Sequence, residues 1–315
     1  MNASTKGKAY FALFLTSFVW GTTWIASKIG VQGIHPLFYS AIRQTVAGIC
    51  FVGFFVAIKK AAMPTFREWL YLLGMSLLLF IISNALTVWS VKYISSGLGA
   101  ILGAIFPLWV AIIEWVIGDK DRPNFLSILG LLLGLGGVTV IFYEHLSDFK
   151  ESNFLTGVVI QTIATFAWAV GTIVMGRRRV RLNRYYSLGW QMLIAGVMLN
   201  LICGIGGFNM PLADVPVHTW LSIGYMVLFG SIITFSALLY SLEHLPTTLA
   251  SIYAYINPLV AVVLGHFLLG EKWSLFLLVG ALVTLVGVYM VNAGFRRYLK
   301  QVEAENKLAE ETGAS

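Results

Sequence analysis

Ten long apolar runs restrict the fold of this chain more than any other feature of its sequence. Bounded by charged or helix-breaking residues, they cover about residues 9–29, 36–58, 67–91, 96–117, 124–143, 154–175, 185–206, 217–241, 247–269 and 273–295. A helix needs about 20 apolar residues to cross about 30 Å of hydrocarbon, so each run is long enough to span a bilayer. The runs therefore predict an all-α membrane protein with ten transmembrane helices.

The charged residues are few, and most lie between the apolar runs. They make up 11 % of the chain, whereas soluble domains contain about 25 %, so much of the surface must face lipid. The net charge of +7 does not indicate nucleic acid, because the positive residues form no single patch. We expect the lipid bilayer, and no nucleic acid, as a partner.

The distribution of lysine and arginine predicts the topology, because these residues concentrate in cytoplasmic loops. A cytoplasmic N-terminus places sixteen of the 21 positive residues on that side. These are Lys6, Lys8, Lys59, Lys60, Arg67, Lys120, Arg122, Arg177, Arg178, Arg179, Arg181, Arg184, Arg296, Arg297, Lys300 and Lys307. The five exceptions are Lys28, Arg43, Lys92, Lys150 and Lys272. We predict that both termini are cytoplasmic.

The second half of the chain repeats the order of features in the first half. Residues 39–44 of the second run match residues 186–191 of the seventh, and Pro107 in the fourth matches Pro258 in the ninth. Because each half has five spans, the second half enters the membrane from the opposite side, as in the inverted repeats of secondary transporters. The predicted units are a first repeat, a second repeat and a cytoplasmic tail: residues 8–145, 153–295 and 296–315.

The same residues resemble a known family. Trp20-Gly21-Thr22-Thr23-Trp24 followed by Lys28 resembles the first helix of EamA-type transporters of the drug/metabolite transporter superfamily. Further similarities are Pro36 with Arg43, Asn84-Ala85-Leu86, and two proline-containing spans that end in Gly118-Asp119-Lys120 and Gly270-Glu271-Lys272. The resemblance covers about residues 8–295 and implies transport of small metabolites, including amino acids, or of nucleotide sugars as in some branches. Glu114 departs from the pattern, in which an apolar residue is more usual.

Two prolines mark the middle of the fourth and ninth spans. Pro107 and Pro258 cannot donate a backbone hydrogen bond to the carbonyls of Gly103 and Ala254. Freed carbonyls at membrane depth are confined to positions that are buried in protein or lined by water. A hydrated cavity near the bilayer centre is one interpretation, and a packing kink satisfied by a neighbouring serine or threonine is the other.

Aromatic and amide side chains recur on single faces of several spans. Trp20 and Trp24 lie one turn apart on the first span, as do Tyr253 and Asn257 on the ninth. Amides are costly against lipid, so these residues should point inward. The predicted substrate pathway, formed by spans one, three, four, six, eight and nine, contains Trp20, Trp24, Asn84, Trp109, Trp168, Tyr240, Tyr253 and Asn257. Ordinary helix packing is the alternative for each.

Three ionisable residues are candidates for gating or energy coupling. Arg43 lies seven residues into the second span, either as a contact for a substrate carboxylate or gate, or as a structural arginine that reaches the outer headgroups. Glu114 and His266 follow the two central prolines and would then lie near opposite mouths of one pathway, where protons could be relayed. Alternatively, both are hydrated residues near span ends that take no part in transport.

No pattern in the chain indicates catalysis. The adjacent pairs Glu144-His145 and Glu243-His244 lack the spacing of a metal site, so we expect no catalytic residues, no metal and no cofactor. We predict a secondary transporter in the bacterial inner membrane that moves uncharged or zwitterionic metabolites by alternating access, with export as the expected direction. A sensor or intramembrane enzyme is the rival class, and a nucleotide-sugar carrier is the rival within transport.

Overall fold

The computed structural model describes residues 3–117, 125–144, 152–177, 181–245 and 253–312. In those ranges the chain forms helices and no β-strand, as an all-α fold requires. The helices are α1 Ala3–Gly30, α2 Pro36–Ile58, α3 Phe66–Ser90, α4 Ser96–Ala104, α5 Phe106–Ile117, α6 Phe125–Glu144, α7 Ser152–Arg177, α8 Arg184–Gly206, α9 Val217–His244, α10 Tyr253–Leu269 and α11 Leu275–Thr312.

Nine spans of the described chain are long and apolar enough to cross a membrane, with α4 and α5 together forming the fourth. They confirm the prediction of a multi-pass helical protein. The ninth predicted span is described only as α10, which has 17 residues, because residues 246–252 lie outside the described ranges. The motif Gly118-Asp119-Lys120 also lies outside them.

The two central prolines differ in their local structure. The fourth span is interrupted at Ile105, and Pro107 lies in the first turn of α5, where a missing N–H costs little. Pro258 lies inside α10, which continues to Leu269.

Other helices depart from regular α geometry at matching places. The segments Ser76–Ala85 of α3 and Met226–Ile233 of α9 are π-helical. Such wide turns are rare and occur frequently at functional sites.

The chain divides into two compact units. Unit 1 comprises residues 1–103 and 148–272, and unit 2 comprises residues 104–147 and 273–315. In unit 1, α2 and α8 pack so closely that a Cβ at Gly48 would collide with the backbone of Leu193. In unit 2, a Cβ at Gly287 of α11 would collide with the backbone of Gly134 of α6. Both pairs use small residues for close helix packing, as membrane helices commonly do.

Candidate substrate site

Trp20 of α1 lies at the centre of an aromatic cluster inside unit 1. Its ring centroid is 5.1 Å from those of both Phe235 on α9 and Tyr253 on α10, and 6.4 Å from that of Trp168 on α7. All three contacts are edge-on, which is a favourable geometry for aromatic quadrupoles. The sequence predicted Trp20, Trp168 and Tyr253 on inward faces but did not single out Phe235, and the fold brings the four together from four helices.

Trp24 extends this cluster by one turn of α1. Its Nε1 donates a hydrogen bond to Oδ1 of Asn257 at 2.9 Å, and its ring lies against Gly99 and Gly103 of α4. The Nε1 of Trp20 donates to the backbone oxygen of Gly230 at 3.3 Å, within the π-helical segment of α9. The two indoles therefore present apolar rings whose polar edges are satisfied by the protein.

Asn84 belongs to a group of polar side chains on α2 and α3, separate from the aromatic cluster. Arg43 donates a hydrogen bond to Oδ1 of Asn84, and Nε2 of Gln44 donates to the same oxygen at 3.1 Å. Arg43 is only 2 % exposed, so its side chain does not reach the surface of unit 1. Asn84 thus acts first as an acceptor that holds Arg43, which its sequence position did not reveal.

Another polar group joins α3, α4 and α7. Oε1 of Gln161 accepts from Ser90 at 2.8 Å, and Nε2 of Gln161 donates to Thr165 at 3.1 Å. The hydroxyl of Thr165 also lies 3.2 Å from the backbone oxygen of Leu102. These buried bonds hold the helices that carry Trp168 and the Gly99–Gly103 surface facing Trp24.

Glu271 makes contacts that no sequence argument predicted. Its carboxylate accepts hydrogen bonds from Ser96 N at 2.7 Å, Ser96 Oγ at 2.9 Å and Gly97 N at 3.2 Å. It therefore caps the N-terminus of α4, where a negative charge is favoured. His266 Nδ1 lies 2.8 Å from the backbone oxygen of Glu271 and is positioned to support this turn. In the sequence, only the motif Gly270-Glu271-Lys272 drew attention to Glu271, and it did not indicate that Glu271 contacts Ser96.

Of the predicted residues not yet placed, Tyr240 lies beside Tyr253, whereas Trp109 and Glu114 lie in the other unit. Tyr240 stacks on His244 with centroids 4.2 Å apart. Together with Tyr253, Tyr240 also packs against Ala9, Leu13 and Leu245. Trp109 and Glu114 are half-buried on α5, in unit 2. Among the described residues, no group of three or more His, Cys, Asp or Glu side chains is placed to hold a metal.

The family model and two of the relatives that match this chain are described as transporters. The model of the EamA-like transporter family matches residues 7–143 and 155–293. The "Uncharacterized inner membrane transporter YedA" of Escherichia coli (strain K12) is 31 % identical over 284 residues, which is 90 % of each chain. An "Uncharacterized transporter" of Archaeoglobus fulgidus is 24 % identical and covers 91 % of this chain and 98 % of its own.

Two further similarities are more distant. The "WAT1-related protein At3g02690, chloroplastic" of Arabidopsis thaliana is 27 % identical, over 87 % of this chain and 67 % of its own. A solved crystal structure matches with a TM-score of 0.65 and 17 % identity, covering 92 % of this chain and 98 % of that one. The structural match supports the fold alone.

Proposed function

Because this chain belongs to the EamA-like transporter family, we propose that it is a secondary transporter of small organic metabolites. Its cargo is uncharged or zwitterionic, with amino acids as the leading class, and it crosses the membrane by alternating access. We further propose a bacterial inner-membrane location, cytoplasmic termini and export as the direction of flux. The E. coli relative is named an inner membrane transporter, which supports the location.

The observation that carries this proposal is the position of Trp20. It contacts Trp168, Phe235 and Tyr253 on three helices of the second half, and the amide of Asn257 lies one turn away on α10. Small-molecule sites are mostly apolar and aromatic, with a few polar groups that orient the ligand. Half-buried indoles beside a half-buried amide suit a cargo that has both an apolar body and polar ends.

Matched features in the two halves support inverted repeats. The π-helical segments of α3 and α9 occupy corresponding places in the predicted third and eighth spans. In each unit a helix packs against its proposed counterpart, α2 with α8 in unit 1 and α6 with α11 in unit 2. Two exchangeable halves of this kind can rock around a central site to open it to each side alternately.

Reconstitution into liposomes tests the function. Purified full-length protein is assayed for flux of labelled neutral amino acids, organic acids, sugars and nucleotide sugars, in both directions. We expect flux of a neutral amino acid or a similar zwitterion above that of protein-free liposomes, with a several-fold loss in Trp20→Ala. Trp220→Ala is the matched control, because Trp220 is 37 % exposed at the start of α9.

Two outcomes favour the alternatives. Flux of nucleotide sugars alone would assign the chain to that branch of transporters. No flux of any compound, by a protein that remains folded, would favour a sensor or an intramembrane enzyme.

A further inference from the structure

An open cavity of about 490 Å³ lies at the end of unit 1 where α1 ends and α2 begins. Its lining includes Lys28, Gln32, His35, Val91, Lys92 and Met210. We call it the Lys28 cavity. In the proposed topology it opens to the outer face of the membrane, away from both termini.

The positive residues of the cavity depart from the distribution of lysine and arginine that predicts the topology. Lys28 and Lys92 are two of the five positive residues that do not fall on the predicted cytoplasmic side, and both line this cavity. No carboxylate is among the lining residues that the structure describes. A cleft lined by one sign of charge concentrates ligands of the opposite sign.

Lys28 keeps most of its donor capacity. Within the part of the chain that the structure describes, its Nζ donates one hydrogen bond, to the backbone oxygen of Ile94 at 2.6 Å, whereas an ammonium group carries three donors. Glu271 is close enough to interact electrostatically with Lys28, but its oxygens accept three hydrogen bonds from Ser96 and Gly97. The half-buried ammonium of Lys28 can therefore bind a further acceptor.

His35 adds a neutral donor beside an aromatic surface. Its Nδ1 accepts from the backbone N–H of Leu37 at 3.3 Å, so the ring proton is on Nε2. The imidazole stacks on Phe208 with centroids 4.1 Å apart and meets Trp89 edge-on at 5.4 Å. The cavity thus combines two cations, a donor and adjacent rings.

We propose that the Lys28 cavity is a docking subsite for the carboxylate of a small organic ion, distinct from the Trp20 cluster. The inference rests on the proposed transport function, because such a subsite would receive the carboxylate end of a zwitterionic cargo at the outer mouth. Lysine ammonium and carboxylate form short, charge-assisted hydrogen bonds, which neutral cargo cannot match.

A protection experiment with two probes of the same shape tests this subsite. Gln32, an exposed lining residue, is changed to Cys in a full-length protein whose Cys50 and Cys203 are replaced by Ser. The rate of labelling by neutral N-ethylmaleimide is measured in zwitterionic nanodiscs with increasing benzoate or benzamide. We expect benzoate to slow labelling at least five-fold and benzamide to have little effect.

Variants assign the protection to the lysines. Lys28→Gln and Lys92→Gln should each raise the benzoate concentration needed for protection by about ten-fold, the effect of losing one charged hydrogen bond. Lys59→Gln, at the far end of α2, is the matched control and should leave it unchanged. Lys92 is exposed, so its variant remains informative if Lys28→Gln does not fold.

Three results would overturn the proposal. Equal protection by benzoate and benzamide would mean that charge is not recognised, and absence of protection would mean that no carboxylate binds. Protection by added anionic lipid but not by benzoate would assign the cavity to a headgroup. The labelling experiment measures no transport, so its outcome is independent of the liposome assay. The subsite can be disproved while flux into liposomes persists, and flux can be absent while benzoate still slows labelling.

Discussion

Trp24 and Asn257 form the second of two successive contacts between α1 and α10. The indole Nε1 of Trp24 donates to Oδ1 of Asn257 at 2.9 Å, and four residues earlier on each helix Trp20 meets Tyr253. Because the residue number increases on both helices from the first contact to the second, α1 and α10 run parallel as neighbours. Parallel packing of the first and ninth spans is what a ten-span count requires, since both are odd-numbered.

The Trp24–Asn257 hydrogen bond should matter for transport. Trp24→Phe keeps a ring but leaves the amide oxygen of Asn257 without its donor, at a cost of about 1–3 kcal/mol. We expect about a ten-fold lower flux of the liposome substrate. The double variant Trp24→Phe/Asn257→Leu should lose less than the sum of the two single losses. Additive losses would mean that the two side chains act independently.

Asn84 should stabilise the fold through Arg43. Asn84→Ala removes the acceptor shared by Arg43 and Gln44 and should lower the free energy of unfolding by about 1–3 kcal/mol. Thermal unfolding in detergent measures the change. Asn209→Ala is the matched control, because Asn209 is an exposed amide in the loop after α8 and should cost less. Equal losses in both variants would contradict the role of Asn84.

Protonation of His35 should weaken the start of α2. Burial, followed by the nearby charge of Lys92, lowers the pKa of His35 below its usual 6.5. The folded protein therefore binds this proton less tightly than the unfolded chain does. The stability that neutral His35 contributes to the fold is fully present above pH 6.5 and is lost as the pH falls through the lowered pKa.

His35→Asn should remove this part of the pH dependence. Asparagine can cap a helix but does not titrate, so we expect unfolding temperature to fall less between about pH 7.5 and pH 5.5 than in the unchanged protein. His218→Asn, at an exposed position near the start of α9, should keep the original slope. An unchanged slope in His35→Asn would show that another group is responsible.

Glu271 should stabilise the first turn of α4. Glu271→Ala leaves three donors of Ser96 and Gly97 without their acceptor, and loss of a cap costs about 0.5–2 kcal/mol. Thermal unfolding should show this cost, whereas Glu243→Ala, at an exposed carboxylate on α9, should be nearly neutral. A similar effect of the two variants would mean that the cap contributes little.

Glu114 is the test of proton coupling. If its carboxyl relays protons, Glu114→Gln should make flux independent of an imposed pH gradient while substrate binding is retained. Liposomes with and without the gradient measure the difference, and His266→Gln should behave in the same way if it serves the opposite mouth. Flux that still follows the gradient in Glu114→Gln would leave that residue without a coupling role.

Local residue patterns predicted the elements of the fold and part of the site. The apolar runs indicated the spans because the hydrocarbon thickness sets the length of a crossing helix. Trp20, Trp24, Tyr253 and Asn257 could be placed on inward faces because helical spacing and the cost of exposing amides to lipid are local properties. Their pairing across helices was not predictable from that spacing alone.

Neighbouring residues were enough to predict the helical class, the spans and the inward-facing side chains, whereas the pairing of polar groups became visible only in the folded protein. Glu271 is 175 residues from Ser96, and Asn84 is 41 residues from Arg43, so neither pair leaves a periodic signal in the chain. Likewise, Lys28 and Lys92 were separate exceptions to the charge rule until the fold placed them in one cavity. Helix formation and membrane insertion depend on residues close in sequence, while a hydrogen bond or a charged cavity depends on how distant helices pack.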